Sequence, residues 1–244
     1  MKKHEIIRLL GDPFIPLLNS KARRDLAQLV KGTKNRPAQI LDVGGRRSPY
    51  SVGLTAQITI VDIPRESEIQ QKLNLGLTDQ IMADVRQERS NIQTIILEDM
   101  TQSTLASQTF DGVICVEVIE HVPDDHAFVQ QIARVLKSGG WLYLTTPNGD
   151  FVKNEPPHYN PDHIRHYTRQ ELQQLMNDYF ADVTITYGIK ISKHFRRGLR
   201  GVSFKRPLFS LTTMANNVIN HWESRHVADQ AEGTAHLFVV ARKK

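Results

Sequence analysis

Short apolar runs alternate with amphipathic segments along most of the chain. Seven runs are rich in β-branched or apolar residues and have the length of buried strands: 39–43, 57–61, 92–97, 112–116, 140–145, 182–189 and 235–240. Strands that alternate with helical segments, as the first five do, are typical of a parallel sheet covered on both faces. The last two runs predict a final pair of strands in the tail.

Two helices have boundaries that can be predicted from the sequence. Residues 124–136 carry apolar side chains at helical spacing, and Ser138-Gly139-Gly140 is expected to end this helix. Thr168 is followed three residues later by Glu171, a capping-box pattern that predicts the start of a second helix. Ser48-Pro49 is also expected to begin a helix, with serine as N-cap and proline as the first helical residue.

The composition fits a folded domain and not a disordered chain. Of 244 residues, 40% are hydrophobic and 23% are charged, so the chain can bury one sizeable core. No run of about 18 apolar residues predicts a membrane span, and the first residues lack the apolar stretch of a secretory signal. We therefore expect a cytoplasmic protein. The single cysteine, Cys115, lies in an apolar strand and is expected to be a buried, unreactive thiol.

Positive charge is concentrated in one segment. The formal net charge is +5, yet residues 183–222 contain no Asp or Glu and carry Lys190, Lys193, Arg196, Arg197, Arg200, Lys205 and Arg206. Apolar side chains are interleaved with these cations, which suits an anionic acceptor or peripheral contact with an anionic membrane. The alternative is a helix that packs on its own domain and presents a solvated basic face. Nucleic acid is not expected, because aromatics at stacking spacing and a known binding module are missing.

Three motifs follow one another from residue 40 to residue 147. The first is the strand and turn Ile40-Leu41-Asp42-Val43-Gly44-Gly45, with an acidic strand end, Asp62, about 20 residues farther on. A glycine turn lets backbone N–H groups approach a ligand closely, and a carboxylate at this spacing can accept both hydroxyl hydrogens of a ribose. The other two motifs, residues 110–122 and 134–147, each contain a predicted strand.

In this order and spacing the motifs resemble those of class I S-adenosylmethionine-dependent methyltransferases of the small-molecule type, over about residues 36–180. The resemblance implies a doubly wound α/β fold: a mostly parallel, seven-stranded, Rossmann-like sheet with a C-terminal antiparallel hairpin. It also implies a single methyltransferase domain over residues 1–244. We divide that domain into lid helices within 1–35, around 6–10 and 20–31, a donor-binding core at 36–180, and final strands at 181–244 with a basic insertion at about 191–217.

The resemblance implies S-adenosyl-L-methionine as the cofactor and indicates the residues that would hold it. They are Asp42, Gly44, Gly45, Asp62, Asp99, Met100, Val116 and Glu117. Asp42 would organise the glycine turn and the methionine ammonium. Asp62 would bind the ribose, and Asp99 with the backbone of Met100 would bind the adenine.

Histidines predominate among the candidates on the acceptor side. His121 follows the fourth strand, and a histidine-rich loop follows the fifth, where ligands of open α/β sheets bind. We assign catalytic roles to His121, His163 and His166, and substrate contacts to His158, Arg165 and Tyr167. A general base is one role for His121 and a structural hydrogen bond is the other, while loop packing is the alternative for the loop residues. No metal is expected, because neither cysteine nor a carboxylate triad accompanies these histidines.

Two departures from the family pattern keep other functions open. Arg46 and Ser48 stand where the family has its second and third glycines, so we expect a rearranged turn in which Arg46 points outward or pairs with a carboxylate. A non-catalytic binding protein on a degenerate methyltransferase fold is one alternative, and an NAD-dependent oxidoreductase is another. For a methyltransferase, the expected acceptor is a small molecule that is acidic, phosphate-bearing or a lipid-linked saccharide.

Overall fold

A computed structural model describes residues 2, 5–6, 10–11, 14–34, 37–65, 76–156, 159–199 and 207–244. Most of the helix predicted around residues 6–10 lies outside the described residues. The same holds for His158 and for residues 200–206 of the basic insertion.

Seven strands of the described residues form one sheet. They are β1 Ala38–Val43, β2 Ala56–Asp62, β3 Ile92–Leu97, β4 Phe110–Val116, β5 Leu136–Pro147, β6 Phe180–Lys190 and β7 Thr234–Lys243. Their order across the sheet is β3-β2-β1-β4-β5-β7-β6. The first five pair in parallel, whereas β7 runs antiparallel to both of its neighbours. The predicted mostly parallel sheet with an antiparallel tail is confirmed.

Six α-helices accompany this sheet within the described ranges. They are α1 Leu17–Gly32, α2 Asp79–Glu88, α3 Asp125–Val135, α4 Arg169–Asn177, α5 Lys193–Gly198 and α6 Pro207–Glu223. The predicted capping box begins α4: Thr168 Oγ1 accepts the Glu171 N–H at 3.2 Å, and the Glu171 carboxylate accepts the Thr168 N–H at 2.8 Å. In the part of the chain that the structure describes, no helix is both long and apolar enough to cross a bilayer.

The central strands of the sheet are buried on both faces. Ile40 and Leu41 are neighbours on β1 and both fully buried, but they belong to separate cores on opposite faces, as the period of two in a strand requires. α1 and α2 contribute to the core of Ile40, and α3 and α4 to the core of Leu41. Cys115 is fully buried in the second of these cores, which confirms its expected environment.

The prediction that a longer helix begins at Ser48-Pro49 is wrong. The chain makes only a short 3-10 turn there, Pro49–Ser51, and the Ser48 side chain does not cap it. Its hydroxyl donates to Tyr50 Oη at 3.0 Å instead. Residues 44–55 are all that separate β1 from β2, which is near the shortest connection that can return a parallel strand and leaves little room for a helix.

The helix predicted over residues 124–136 is confirmed as α3, but the Ser-Gly-Gly signal does not end it. α3 ends at Val135, before the Ser138-Gly139-Gly140 turn, because the chain enters β5 at Leu136. There Leu136 pairs with Phe110 of β4 ahead of the regular register. Pairing with a neighbouring strand therefore outweighs the local helix pattern.

Candidate active site

A cavity of about 840 Å³ opens at the carboxyl ends of the central parallel strands. Gly44 follows β1, Asp62 ends β2, Asp99 follows β3 and Glu117 follows β4, and all four line it. The sheet order reverses direction between β1 and β4, and ligands of open α/β sheets bind at such a switch point. This cavity is therefore the candidate active site.

Most of the predicted donor-binding residues border this cavity. Those that line it are Gly44, Asp62, Asp99, Met100, Val116 and Glu117. Asp42, near the end of β1, and Gly45, in the turn after it, do not line the cavity. Leu18 and Asn19, at the start of α1, also reach it.

The glycine turn after β1 leaves no space for larger side chains. Gly44 has φ +70°, and a Cβ there would lie 2.7 Å from Val118 Cγ2. A Cβ on Gly45 would lie 2.5 Å from Asp42 Cγ. The Gly44 N–H donates to the Val61 carbonyl at 2.8 Å and ties the turn to β2. Both glycines are thus required by the packing of the turn.

Asp42 supports this turn from below. Its side chain is fully buried and accepts a hydrogen bond from Ser51 Oγ at 2.8 Å, while its Oδ1 has no hydrogen-bond partner among the described residues. Burial raises the pKa of Asp42 to about 6, although Arg89 and Ser51 oppose the shift. A buried carboxylate oxygen without a donor marks a place where a further donor would be stabilising.

Arg46 forms an ion pair inside the site. Its Nη1 donates to Asp62 Oδ2 at 3.2 Å, so the expectation that Arg46 pairs with a carboxylate is confirmed. The other oxygen of Asp62 accepts the Ile63 N–H at 2.9 Å. Burial raises the pKa of Asp62, and Arg46 counteracts part of that rise. The Asp62 carboxylate, which is expected to bind a ribose, is therefore already paired with the guanidinium of Arg46.

Asp99 begins a short turn after β3. Its Oδ1 accepts the Thr101 N–H and the Thr101 hydroxyl, both at 2.8 Å, and so caps the 3-10 turn Met100–Gln102. The buried Met100 follows it along the cavity wall. This arrangement holds the Asp99 carboxylate and the adjacent backbone at one edge of the cavity.

Glu117 lies after β4 in a left-handed conformation, with φ +54°. Its carboxylate accepts hydrogen bonds from Thr145 Oγ1 at 2.8 Å and from His236 Nδ1 at 3.2 Å. Burial alone would favour the neutral acid, but His236, Thr145 and His163 together outweigh it, and the pKa of Glu117 is lowered. His236 was missed in the sequence because it lies far along the chain, on β7, and only strand pairing brings it here.

A second glutamate, Glu120, lies behind the cavity wall. It is fully buried; its Oε2 accepts from Thr146 Oγ1 at 3.1 Å, and its Oε1 has no hydrogen-bond partner among the described residues. Burial, reinforced by the charge of Glu117, raises the pKa of Glu120 well above its usual range. Glu120 belongs to the motif at residues 110–122, but the sequence gave it no role.

Three predicted histidines form a connected group. His121 lines the cavity, and its ring lies edge-on to His163, with the ring centres 4.8 Å apart. His163 Nδ1 lies 2.7 Å from His166 Nε2, and His166 Nδ1 lies 2.7 Å from the Val152 carbonyl. Burial and the two neighbouring histidines lower the pKa of His163 to about 4. The structure thus brings His121, His163 and His166 together.

Arg165 and Tyr167 are bound elsewhere in the fold. Arg165 forms an ion pair with Asp125, at the start of α3, and donates to the Pro123 carbonyl at 2.7 Å. The buried Tyr167 donates to the same Asp125 carboxylate at 2.7 Å. Neither side chain lines the cavity. These contacts account for both residues as anchors of the loop to α3.

Comparison with known families and structures agrees with this geometry. A family profile described as a methyltransferase domain matches residues 18–183, about two thirds of the chain. Ubiquinone biosynthesis O-methyltransferase from Xanthomonas oryzae pv. oryzae is 38% identical over 114 residues, which is 46% of this chain and 44% of that protein. The matched segment thus spans less than half the length of this curated relative.

Two solved structures show how widely the fold is shared. An S-adenosylmethionine-dependent methyltransferase from Archaeoglobus fulgidus has a TM-score of 0.61 at 14% identity, covering 96% of this chain and 98% of that one. The 1,6-didemethyltoxoflavin-N1-methyltransferase of Burkholderia thailandensis, solved with its substrate and S-adenosylhomocysteine, has a TM-score of 0.54 at 16% identity, covering 94% and 79%. At these identities the likeness concerns the fold.

Proposed function

The chain belongs to the methyltransferase domain family, and from this premise we propose that it transfers a methyl group from S-adenosylmethionine to a small-molecule acceptor. The observation that carries the proposal is the cavity at the switch point, bordered by a tight glycine turn and by acidic residues after β2 and β3. An NAD-dependent oxidoreductase has no support from the family match or from the antiparallel tail.

The residues around the cavity suit this donor. Gly44 lines the cavity with backbone alone, since a Cβ there would meet Val118, and a Cβ at Gly45 behind it would meet Asp42. The carboxylates of Asp62 and Asp99 line the cavity and offer acceptors for the ribose and adenine donors of the molecule, while the buried Asp42 supports the turn beside them. When bound, S-adenosylmethionine supplies an activated methyl group for in-line displacement.

The protein's part in such a reaction is mainly placement. Backbone of the glycine turn and the acceptors at the strand ends would fix the donor, and the wall formed by Val118, Val122 and Phe128 would exclude water from its apolar side. His121 lines the cavity beside His163, so we infer that the acceptor binds at this histidine end. We infer an oxygen nucleophile because the matched Xanthomonas relative is named an O-methyltransferase.

The carboxyl-terminal part of the chain suggests the character of the acceptor. α6 has the reverse of the usual amphipathic arrangement, because its buried side chains are polar. They are Ser210, Thr213, Asn217 and Asn220. Its exposed apolar side chains are Leu208, Leu211, Val218, Ile219 and Trp222. Asn217 donates to the Phe14 carbonyl at 2.7 Å and Asn220 to the Lys190 carbonyl at 2.8 Å, so polar contacts hold this helix to the domain.

Cations accompany this exposed apolar face. Lys193, Arg196 and Arg197 are exposed on α5, which packs against α6. An apolar stripe flanked by cations fits the interfacial region of an anionic membrane. We therefore propose that the acceptor is an anionic or lipid-linked molecule taken from such a surface. The described residues of the insertion do not line the cavity, so their proposed role is to bring the protein to the membrane.

One observation favours a second candidate function. Because Arg46 already pairs with Asp62, a binding protein that has lost donor recognition would show the same contact. Donor binding separates the two candidates. We propose to incubate the protein with methyl-labelled S-adenosylmethionine and extracts of polar metabolites and of lipids, and to follow label transfer by mass spectrometry. A methyltransferase labels an extract component, whereas a degenerate protein leaves both extracts unlabelled and binds no donor.

A further inference from the structure

A cluster of ligand-type side chains lies at the acceptor end of the cavity. Glu120, His121 and His163 each offer one nitrogen or oxygen atom, and these atoms lie within 4.8 Å of one another. Glu120 and His121 belong to the turn after β4, while His163 belongs to the loop after β5. The Ile164 N–H donates to the Glu120 carbonyl at 2.8 Å and holds the two segments together.

Hydrogen bonds fix which ring nitrogens are free. His121 Nδ1 lies 2.9 Å from the Asp162 carbonyl oxygen, which can only accept, so this nitrogen carries the proton. The Val152 carbonyl likewise fixes a proton on His166 Nδ1, which leaves His166 Nε2 to accept from His163 Nδ1. Both His121 and His163 are therefore left with a lone pair on Nε2.

Glu120 adds an oxygen that the fold leaves unsatisfied. Its side chain is completely buried, and Thr146 occupies only one of its two carboxylate oxygens. The other, Oε1, has no hydrogen-bond partner in the described part of the chain. A buried carboxyl oxygen without a partner costs free energy, and a cation that displaces the acid proton would meet it.

We propose that Glu120, His121 and His163 bind a divalent transition-metal cation. Two imidazole nitrogens and one carboxylate oxygen are a ligand set suited to Zn²⁺, Mn²⁺ or Fe²⁺, and three protein ligands leave positions open for water or a substrate. Ligands of a tetrahedral cation lie about 3.3 Å apart, closer than the 4.8 Å within which the three ligand atoms lie, so binding would draw the side chains together.

The surroundings of the cluster support its ligands as a metal site requires. Metal-bound histidines donate their other N–H to a carbonyl, a carboxylate or a neighbouring side chain, which fixes the ring. Here Asp162 does so for His121, through both its carbonyl and its carboxylate at 2.9 Å. His166 does so for His163, and Thr146 holds Glu120. His166 is thus a positioning residue for the site.

Binding of the cation does not depend on the proposed function. Its role at the acceptor end of the cavity does rest on that function. His121 lines the cavity, so the cation lies at the cavity edge, where an acceptor hydroxyl can take one of its open positions. Coordination lowers the pKa of such a hydroxyl and fixes its orientation.

Titration of the metal-stripped protein with Zn²⁺ tests the site, with folding of each variant checked by circular dichroism. The wild type is expected to bind about one equivalent, and His163→Ala and Glu120→Gln to bind at least 10-fold more weakly. His166→Ala is expected to weaken binding by about 10-fold through the loss of its hydrogen bond. The control His126→Ala changes an exposed histidine on α3 outside the cluster and should bind as the wild type does.

A second readout uses Co²⁺, whose visible absorption reports the coordination. The wild type should give a spectrum that His163→Ala and His121→Gln lose. The absence of stoichiometric binding by the wild type would overturn the proposal, as would equal affinity in the cluster variants and His126→Ala. Binding of S-adenosylhomocysteine to the metal-stripped protein is measured alongside, so failure of the metal site is distinguishable from failure of the proposed function.

Discussion

Asp62 is the side chain on which donor recognition should depend most. Its carboxylate lies at the end of β2 and lines the cavity. In Asp62→Ala the ribose loses a charge-assisted hydrogen-bond acceptor, at a cost of about 1.5–3 kcal/mol, or about 10- to 100-fold in Kd. Calorimetric titration with S-adenosylhomocysteine measures this loss. Asp182→Ala, which removes an exposed carboxylate from β6, is the matched control, and an equal Kd in both variants would refute the assignment.

Arg46 competes for the same carboxylate. Its guanidinium donates to Asp62 Oδ2, so removing it exposes an acceptor and leaves the glycine turn less crowded. We expect Arg46→Gly to fold. Its Kd for the donor should be no higher than that of the wild type, to within about threefold. The same titration and a thermal melt measure both properties. A loss of donor affinity of 10-fold or more would mean that Arg46 itself holds the ligand.

Some residues of the site could be predicted from sequence and others could not. Asp42, Gly44 and Asp62 follow local rules: a strand, a tight turn and a strand-end carboxylate at a fixed spacing. The pairing of Glu117 with His236 depends on the antiparallel register of β5 and β7, which no local pattern encodes. The ligand cluster around Glu120 likewise depends on a loop folding back onto the turn after β4.

At the scale of the elements, the strands were predicted best. Strands buried on both faces appear as continuous apolar runs, and all seven predicted runs are strands. Their lengths were underestimated. The run at 140–145, for example, lies within β5, which spans Leu136–Pro147. Residues at strand ends are held by pairing with neighbours, and their side chains need not be apolar. The predicted helix after Ser48 does not form for a reason that also lies outside its own sequence, because the connection between β1 and β2 is too short to hold it.

The glycine turn is the element whose packing can be tested most directly. In Gly45→Ala the new Cβ would lie 2.5 Å from the buried Asp42 Cγ, so the turn or the carboxylate must move. We expect a loss of about 1–3 kcal/mol in the free energy of unfolding and weaker donor binding. Gly32→Ala is the control, because a Cβ at the end of α1 meets nothing within 4 Å. Comparable denaturant midpoints for both variants would contradict a tightly packed turn.

At the scale of the whole molecule, α6 carries its polar side inward and its apolar side outward. Leu208, Leu211, Val218 and Trp222 recur at near-helical spacing in the sequence, but this periodicity does not show which way they point, because it is the same for either face. The direction is set by amide hydrogen bonds from Asn217 and Asn220 to backbone carbonyls. Local sequence rules therefore left open whether the segment packs on the domain or faces a partner.

Binding to lipid vesicles tests the proposed membrane surface. The protein should bind vesicles that contain anionic lipid and release them as salt rises, because cations on α5 and apolar side chains on α6 act together. Arg196→Gln combined with Arg197→Gln should weaken binding several-fold, and Trp222→Ser should do so with less salt dependence. Arg86→Gln with Lys244→Gln removes the same charge from other exposed positions. Equal losses in this control would indicate a general charge effect and no specific surface.

The central claim is that the cavity at the strand ends binds the methyl donor. Titration of the wild-type protein with S-adenosylhomocysteine, followed by calorimetry and repeated with NAD, tests it most directly. We predict saturable binding of S-adenosylhomocysteine at one site and no heat of binding with NAD. No binding of S-adenosylhomocysteine at millimolar concentration, or saturable binding of NAD instead, would contradict the account.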